Sequence, residues 1–97
     1  MIISQLINTQ GNAVKNQFVI INGDVTTFQS YDSQIVDVNI KESTIVFYPN
    51  YNFSVTTSKH RNKFLSDILG VSIDTKTVNK MISDGVYCGY KVNLIKK

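Results

Sequence analysis

The 97-residue sequence predicts an α+β fold, with an antiparallel sheet of about five or six strands and two short helices packed on one face. Three observations support this prediction. Apolar, β-branched runs separated by turn residues fill the first half of the chain, apolar residues at helical spacing follow, and an alternating run over residues 86–95 ends it. The length suits one domain, and we expect residues 1–97 to form it.

The first half of the chain is predicted to consist of strands joined by tight turns. After an ordinary first strand at the N-terminus, the predicted strands are residues 16–21, 25–28, 35–40 and 44–48. Asn22-Gly23 is a strong hairpin signal, because both central positions of such a turn take a positive φ. Pro49 ends the last of these strands, since proline has no N–H to donate to a ladder.

Two helices are predicted in the second half. The hydroxyl side chains of residues 56–58 are candidate N-caps, because each can accept from the free N–H groups of a first turn. This helix should end at Gly70, where a left-handed C-cap belongs. A second helix is expected from its cap Asp74 through Asp84, and Gly85 should terminate it.

The composition limits the chemistry that the chain can carry. Hydrophobic residues make up 42% and charged residues 18%, which is typical of a globular protein. One Cys cannot form an internal disulfide and one His cannot build a multi-His site, so we expect no metal and no cofactor. The sequence has no run near the roughly 18 apolar residues of a membrane span and no secretory signal, so we expect no membrane contact and an intracellular location.

Catalytic residues are not expected. His60 is the only imidazole, and it lies within a Lys/Arg cluster that lowers its pKa and supplies no orienting carboxylate. Cys88 falls on the apolar side of the predicted last strand, which indicates a buried structural thiol. The five glycines are scattered and form no phosphate-binding loop. We therefore expect a binding protein and not an enzyme.

Positive charge is concentrated in residues 59–63 of the predicted first helix and at Lys91, Lys96 and Lys97. The net charge is only +3, but Lys59, His60, Arg61 and Lys63 occupy what would be its first two turns. Basic groups there oppose the helix dipole at about 0.3–1 kcal/mol each, which is tolerated most readily if a partner uses the charges. Lys59 and Lys63, one turn apart, are therefore candidate contacts to a negatively charged partner, with a plain solvated face as the alternative.

Arg61 is predicted to differ from its basic neighbours. Leu65 and Ile68 follow it at i+4 and i+7, so its stem should lie over the core. Its guanidinium is then expected to brace a backbone carbonyl or a carboxylate such as Asp32.

Tyrosines near turns are candidate contact residues. Strand alternation should bury Phe28, Phe47 and Phe53. Three tyrosines are expected to stay partly exposed, where they could stack on bases, anchor a protein interface or simply cover the sheet edge. They are Tyr31, Tyr48 and Tyr51.

Two blocks of the sequence resemble a family of small uncharacterised proteins carried by bacteriophages and conjugative elements. The family pattern is F-Q-S-Y-x-S-x-I, then W/Y-x-Y-S-x-T-T-x-K-Y-R-N-x-F-L, then a helix that finishes near I-x-S-G-x-Y. The corresponding segments here are residues 28–35, 51–65 and 82–87, with Phe53 and His60 where the family usually has Tyr. The resemblance implies a mobile-element origin, and hence the cytoplasm of a host bacterial cell.

The leading hypothesis from these observations is a non-enzymatic counter-defence inhibitor, similar to an anti-CRISPR, that docks on a host protein or ribonucleoprotein effector. The expected contact residues are Tyr31, Tyr48, Tyr51, Lys59, His60 and Lys63. One alternative is a nucleic-acid-binding accessory protein of the element that uses the same residues. Another is a small structural protein that self-associates through a sheet edge, for example as a homodimer.

Overall fold

The computed structural model describes residues 1–96, which contain seven strands and two helices. In chain order these are β1 (Ile2–Ile7), β2 (Ala13–Asn22), β3 (Val25–Ser30), β4 (Ser33–Asn39), β5 (Thr44–Phe47), α1 (Val55–Leu69), α2 (Thr75–Asp84), β6 (Val86–Tyr87) and β7 (Tyr90–Leu94). The α+β class with two helices is confirmed. No helix within residues 1–96 is long and apolar enough to cross a membrane.

All the strands belong to one sheet in the order β1-β2-β3-β4-β5-β7-β6. Every neighbouring pair is antiparallel except β5 and β7, where Ile45 pairs with Val92 in parallel. Because α1, α2 and β6 lie between these two strands, the chain can return to the sheet in the same direction. The sheet is therefore mostly antiparallel, and it has seven strands where five or six were expected.

The extra strand comes from the end of the chain. Residues 86–95, predicted as a single strand, form the hairpin of β6 and β7, in which Tyr87 pairs with Tyr90. Cys88 and Gly89 make the two-residue turn, with φ angles of 47° and 88°. The expectation of a buried Cys88 was wrong, since its thiol is exposed at this turn.

The hairpin between β2 and β3 is confirmed, with its turn one residue later than expected. Asn22 still pairs with Val25, so the two turn residues are Gly23 and Asp24. Gly23 takes the positive φ of 65°. Asn22 therefore ends the strand and does not enter the turn.

The helix ends follow their capping residues. Gly70 and Gly85 both adopt the left-handed conformation that ends α1 and α2, and the Asp74 side chain accepts a hydrogen bond from the Thr77 N–H, as expected for the second N-cap. The first N-cap is Ser54, which accepts from the Thr57 N–H at 3.0 Å, and not one of residues 56–58. Lys59 and the basic residues after it therefore follow the first turn, where the dipole penalty is smaller than predicted.

Both helices pack on the same face of the sheet, as predicted. The rings of Phe28 on β3 and Phe64 on α1 stack with their centroids 5.7 Å apart. Val78 and Met81 of α2 join the same buried cluster. Complete burial of one such side chain stabilises the fold by about 1.5–3 kcal/mol, so this face fixes α1 and with it the site described next.

Candidate functional site

A cleft of about 380 Å³ opens between the start of α1, the middle of β2, the end of β3 and the first part of β4. We call it the α1 cleft. Among residues 1–96, its lining contains no charged residue and is rich in hydroxyl and amide side chains. The lining residues used below are Gln17, Ser30, Tyr31, Phe53, Ser54 and Thr56. Its volume is within the range of sites that bind small ligands or inserted side chains.

The turn between β3 and β4 shapes one side of the α1 cleft. Tyr31 has a φ of 54°, and its N–H donates to the Asn16 carbonyl at 2.7 Å. Asn16, inside β2, has a φ of 64°, so β2 departs from regular geometry where it contacts this turn. The result is a Tyr31 side chain that lines the cleft while the residue stays 63% exposed.

The loop after β5 forms the opposite side. The Asn50 amide donates to the Ser33 hydroxyl at 3.1 Å, which ties this loop to the start of β4. Phe53 is 77% exposed, so the expectation of a buried ring was wrong. The physical reason is that β5 ends at Phe47, and strand alternation does not continue into the turns that follow Pro49.

Gln17 provides a buried amide in the wall of the α1 cleft. The residue is only 3% exposed, because it pairs with Ser30 and lies on the same face of β2 as Val19. Its side-chain oxygen, Oε1, is buried and has no hydrogen-bond partner within residues 1–96. Gln17 was not among the predicted site residues, although its spacing of two from Val19 places both residues on the helix-facing side of the strand.

Arg61 is fully buried and serves as a structural brace. Its guanidinium donates to the Tyr51 carbonyl at 2.6 Å and to the Thr75 hydroxyl at 3.2 Å, and it lies 5.8 Å from the centre of the Tyr51 ring. The partner of the Arg61 guanidinium is thus a backbone carbonyl, that of Tyr51, which was one of the two predicted alternatives. Asp32, the alternative, is instead exposed in the β3–β4 turn. Burial lowers the pKa of Arg61 to about 10, so the group stays charged at pH 7.

Tyr51 and Tyr48 are not part of the cleft. The Tyr51 ring packs edge-on against Phe47, with centroids 5.7 Å apart, beneath Arg61. The Tyr48 hydroxyl donates to Asp37 at 2.6 Å, and Thr27 and Gln34 donate to the same carboxylate. Asp37 lies between the buried Val36 and Val38, so this network occupies the sheet face away from the helices.

The three basic contact candidates lie along α1. They line a second and larger depression of about 800 Å³, together with the β1–β2 loop, which we call the basic groove. Lys63 is paired with Asp67 at 2.6 Å. Burial and the charge of Lys59 lower the pKa of His60 below its ordinary value of 6.5, so its imidazole is neutral at pH 7. Lys59 has no salt-bridge partner within residues 1–96.

The predicted contact residues therefore divide among three places and do not form one surface. Tyr31 lines the α1 cleft, whereas Lys59, His60 and Lys63 line the basic groove. Tyr48 and Tyr51 are held in hydrogen-bonding and packing roles. Within the described part of the chain, no three His, Cys, Asp or Glu side chains come together in a way that could hold a metal ion.

These features define a small α+β domain with an uncharged cleft and a basic groove at its first helix. The chain belongs to a family described as "Family of unknown function (DUF8033)", which matches residues 1–84 and so includes the lining residues of both depressions. No significant match to the chain was found among curated proteins or among solved structures.

Proposed function

We propose that this chain is a non-enzymatic protein of a bacteriophage or other mobile element that binds and inhibits a host defence component. It acts in the bacterial cytoplasm like an anti-CRISPR protein, blocking a Cas effector by protein–protein contact. The mobile-element origin is supported by the resemblance of residues 28–35 and 51–65 to proteins of such elements. The docking part of the proposal is supported by the surface around the start of α1.

The observation that carries the docking proposal is a concentration of exposed apolar side chains at that point. Tyr31, Phe53 and Val55 are 63%, 77% and 88% exposed; Phe53 and Val55 flank the capping residue Ser54 in the chain, and Tyr31 lines the same cleft as Ser54. Aromatic side chains that project beside a cleft are the usual anchors of protein interfaces. We call Tyr31, Phe53, Val55 and the adjacent Lys59 the docking surface.

The charge of this region favours a protein partner over nucleic acid. Of the three basic residues in the basic groove, Lys63 is neutralised by Asp67 and His60 is uncharged at pH 7, which leaves Lys59. A nucleic-acid platform depends on several phosphate contacts and binds with a steep salt dependence. A single lysine beside three apolar side chains is better suited to orienting a protein that is anchored mainly by apolar contact.

The function can be tested in a bacterial host whose active CRISPR–Cas system destroys an incoming plasmid. Expression of this chain should restore plasmid transformation if it blocks the effector. The double variant Phe53→Asp/Lys59→Glu should lose this protection, because it places negative charge on the docking surface. The matched control Lys41→Glu changes an exposed lysine in the β4–β5 turn and should keep the protection.

Binding should be measured in parallel with the purified effector at two salt concentrations. A complex that survives nuclease and weakens little with salt supports protein contact. A complex that disappears with nuclease points instead to the nucleic-acid-binding alternative. Equal protection by the double variant and the control would contradict the proposed docking surface.

A further inference from the structure

The α1 cleft contains a polar group that the fold leaves unsatisfied. Gln17 is 3% exposed, and its Oε1 atom has no hydrogen-bond partner within residues 1–96. A buried acceptor without a donor costs free energy, because it has lost water and gained nothing in exchange. Such a group is expected where a ligand supplies the missing donor.

The start of α1 supplies the complementary groups. Ser54 caps the helix, and Thr56 stands at its second residue, where the backbone N–H has no acceptor inside a helix. Both residues line the cleft together with Gln17. The cleft thus offers an acceptor and donors within one small volume, and its occupant must carry both kinds of group.

The lining also indicates that the occupant is uncharged. No Lys, Arg, Asp or Glu of the described residues lines the α1 cleft, and Lys59 and Lys63 line the basic groove instead. A nucleotide would bring a phosphate into a cleft that offers no cation. The exposed rings of Tyr31 and Phe53 both line the cleft and offer flat apolar surfaces to a neutral group.

We propose that the α1 cleft binds a primary amide, the side chain of an Asn or Gln from the protein partner. A primary amide carries an N–H donor and a carbonyl acceptor in one plane, so it can pair with the Gln17 amide in either orientation of that side chain. Its remaining hydrogen-bonding capacity is met by the groups at the start of α1. This assignment rests on the proposed function, because it names the part of the partner that enters the docking surface.

The experiment is an NMR titration of the ¹⁵N-labelled full chain with N-acetyl-glutamine methylamide. The capped glutamate, uridine and methyl glucoside serve as comparison probes. We expect capped glutamine to shift the Gln17 side-chain amide and the Thr56 backbone N–H signals in a saturable way. The Gln17→Met variant should bind it about tenfold more weakly or worse, as expected for loss of a buried hydrogen-bonding pair. The control Gln5→Met, an exposed strand glutamine, should bind as the wild type does.

Each other outcome overturns the amide assignment. Equal or tighter binding of uridine or methyl glucoside would assign the cleft to a nucleobase or a sugar, and equal binding of capped glutamate would show that it does not select a neutral amide. The absence of any saturable shift would show that the cleft is not a binding site. These probes need no host protein, so a positive titration alongside failed plasmid protection would reject the proposed function and its protein partner, and would retain only the specificity of the cleft for a primary amide.

Discussion

At the scale of single residues, Arg61 and Gln17 are two of the buried polar groups of the domain, and their environments differ sharply. Arg61 is fully buried but donates to a carbonyl, to hydroxyls and to the Asn62 side chain, so its charge is well solvated by the protein. Gln17 is almost as buried, yet its Oε1 atom is unpartnered within residues 1–96. The hydrogen bonds of Arg61 stabilise the start of α1. The unpartnered oxygen of Gln17 lowers the stability of the fold and leaves an acceptor that the proposed ligand would satisfy.

This contrast predicts that Gln17→Met stabilises the free domain. Methionine has a similar length, and it removes a buried acceptor that costs about 1–3 kcal/mol when unpaired. Urea unfolding followed by circular dichroism should show the free energy of unfolding rising by about that range. Gln5→Met, on an exposed position of β1, should change it by less than about 0.5 kcal/mol. A destabilised Gln17→Met chain would show that the Gln17 amide is already satisfied in the folded protein.

Tyr48 provides a pH-dependent prediction. Burial, the hydrogen bond to Asp37 and the charge of that carboxylate raise the pKa of Tyr48 to about 12. In the unfolded chain a tyrosine loses its proton near pH 10. Between about pH 10 and 12 the unfolded state therefore binds fewer protons than the folded state, and the stability that Tyr48 contributes is lost as pH rises.

The free energy of unfolding should accordingly fall over that window in the wild type. Tyr48→Phe should flatten this part of the profile, because it removes the titrating hydroxyl. Asp37→Asn should shift the tyrosinate absorbance of Tyr48 toward lower pH, since it removes the negative charge beside it. A wild-type profile that matches Tyr48→Phe between pH 10 and 12 would contradict the assigned hydrogen bond.

At the scale of elements, the start of α1 organises the site. Its capping residue Ser54, the loop after Pro49 and the β3–β4 turn converge there, and they expose Tyr31, Phe53 and Val55 together. Their common position depends on α1 being held against β3 by Phe64. The docking surface is thus produced by packing of the core on the other side of the same helix.

The cap itself can be tested by Ser54→Ala. The side chain of Ser54 accepts from the Thr57 N–H at 3.0 Å, and loss of such a cap typically costs about 1 kcal/mol. Thermal unfolding should detect this loss, together with faster amide exchange in the first turn of α1. Ser83→Ala, at an exposed position near the end of α2, should leave both measurements nearly unchanged. Equal effects of the two substitutions would show that Ser54 does not act as the N-cap.

The sequence predicted those elements whose ends depend on a single residue. Gly70, Asp74 and Gly85 act at short range, so their positions were readable without knowing the fold. The turn at Cys88 could not be predicted from the sequence, because a cysteine at positive φ is an unusual turn residue and the apolar alternation around it resembled a single strand.

The candidate site was predictable only in part for the same reason. Lys59 and His60 can be recognised from the sequence as ionisable candidate contacts. The pairing of Lys63 with Asp67 and the burial that lowers the pKa of His60 depend on local geometry, so the sequence does not show them. Gln17 becomes part of a cleft only because β2 lies opposite the start of α1, where Ser54 and Thr56 are 37 and 39 positions away in the chain. Phe53 is exposed because its loop leaves the sheet.

At the scale of the whole molecule, the sheet has two very different faces and an open edge. One face carries both helices, and the other carries the Asp37 network. Within residues 1–96, β1 forms one edge of the sheet, and it exposes Ile2 and Ile3 without a Lys or Pro to discourage pairing. Any self-association through this edge would therefore be separable from the proposed docking at the start of α1.

The exposed apolar edge at β1 predicts a concentration-dependent contact between copies of the chain, and this contact does not involve the docking surface. Sedimentation velocity should show the average mass of the wild type rising at high protein concentration. Ile3→Lys should suppress this rise, because it places a charge on the exposed edge strand, and it should leave partner binding unchanged. Loss of partner binding in Ile3→Lys would instead make β1 part of the functional interface.

The most direct test of the central claim, that the start of α1 docks on a host protein, is site-specific photo-crosslinking. A benzophenone amino acid is placed at Phe53 in one sample and at Ile40, an exposed control position in the β4–β5 turn, in another. Each chain is irradiated in nuclease-treated lysate of a host that carries the defence system. We predict a discrete adduct with a defence effector from position 53 and none from position 40. No effector adduct at position 53, or the same adduct from both positions, would contradict the claim.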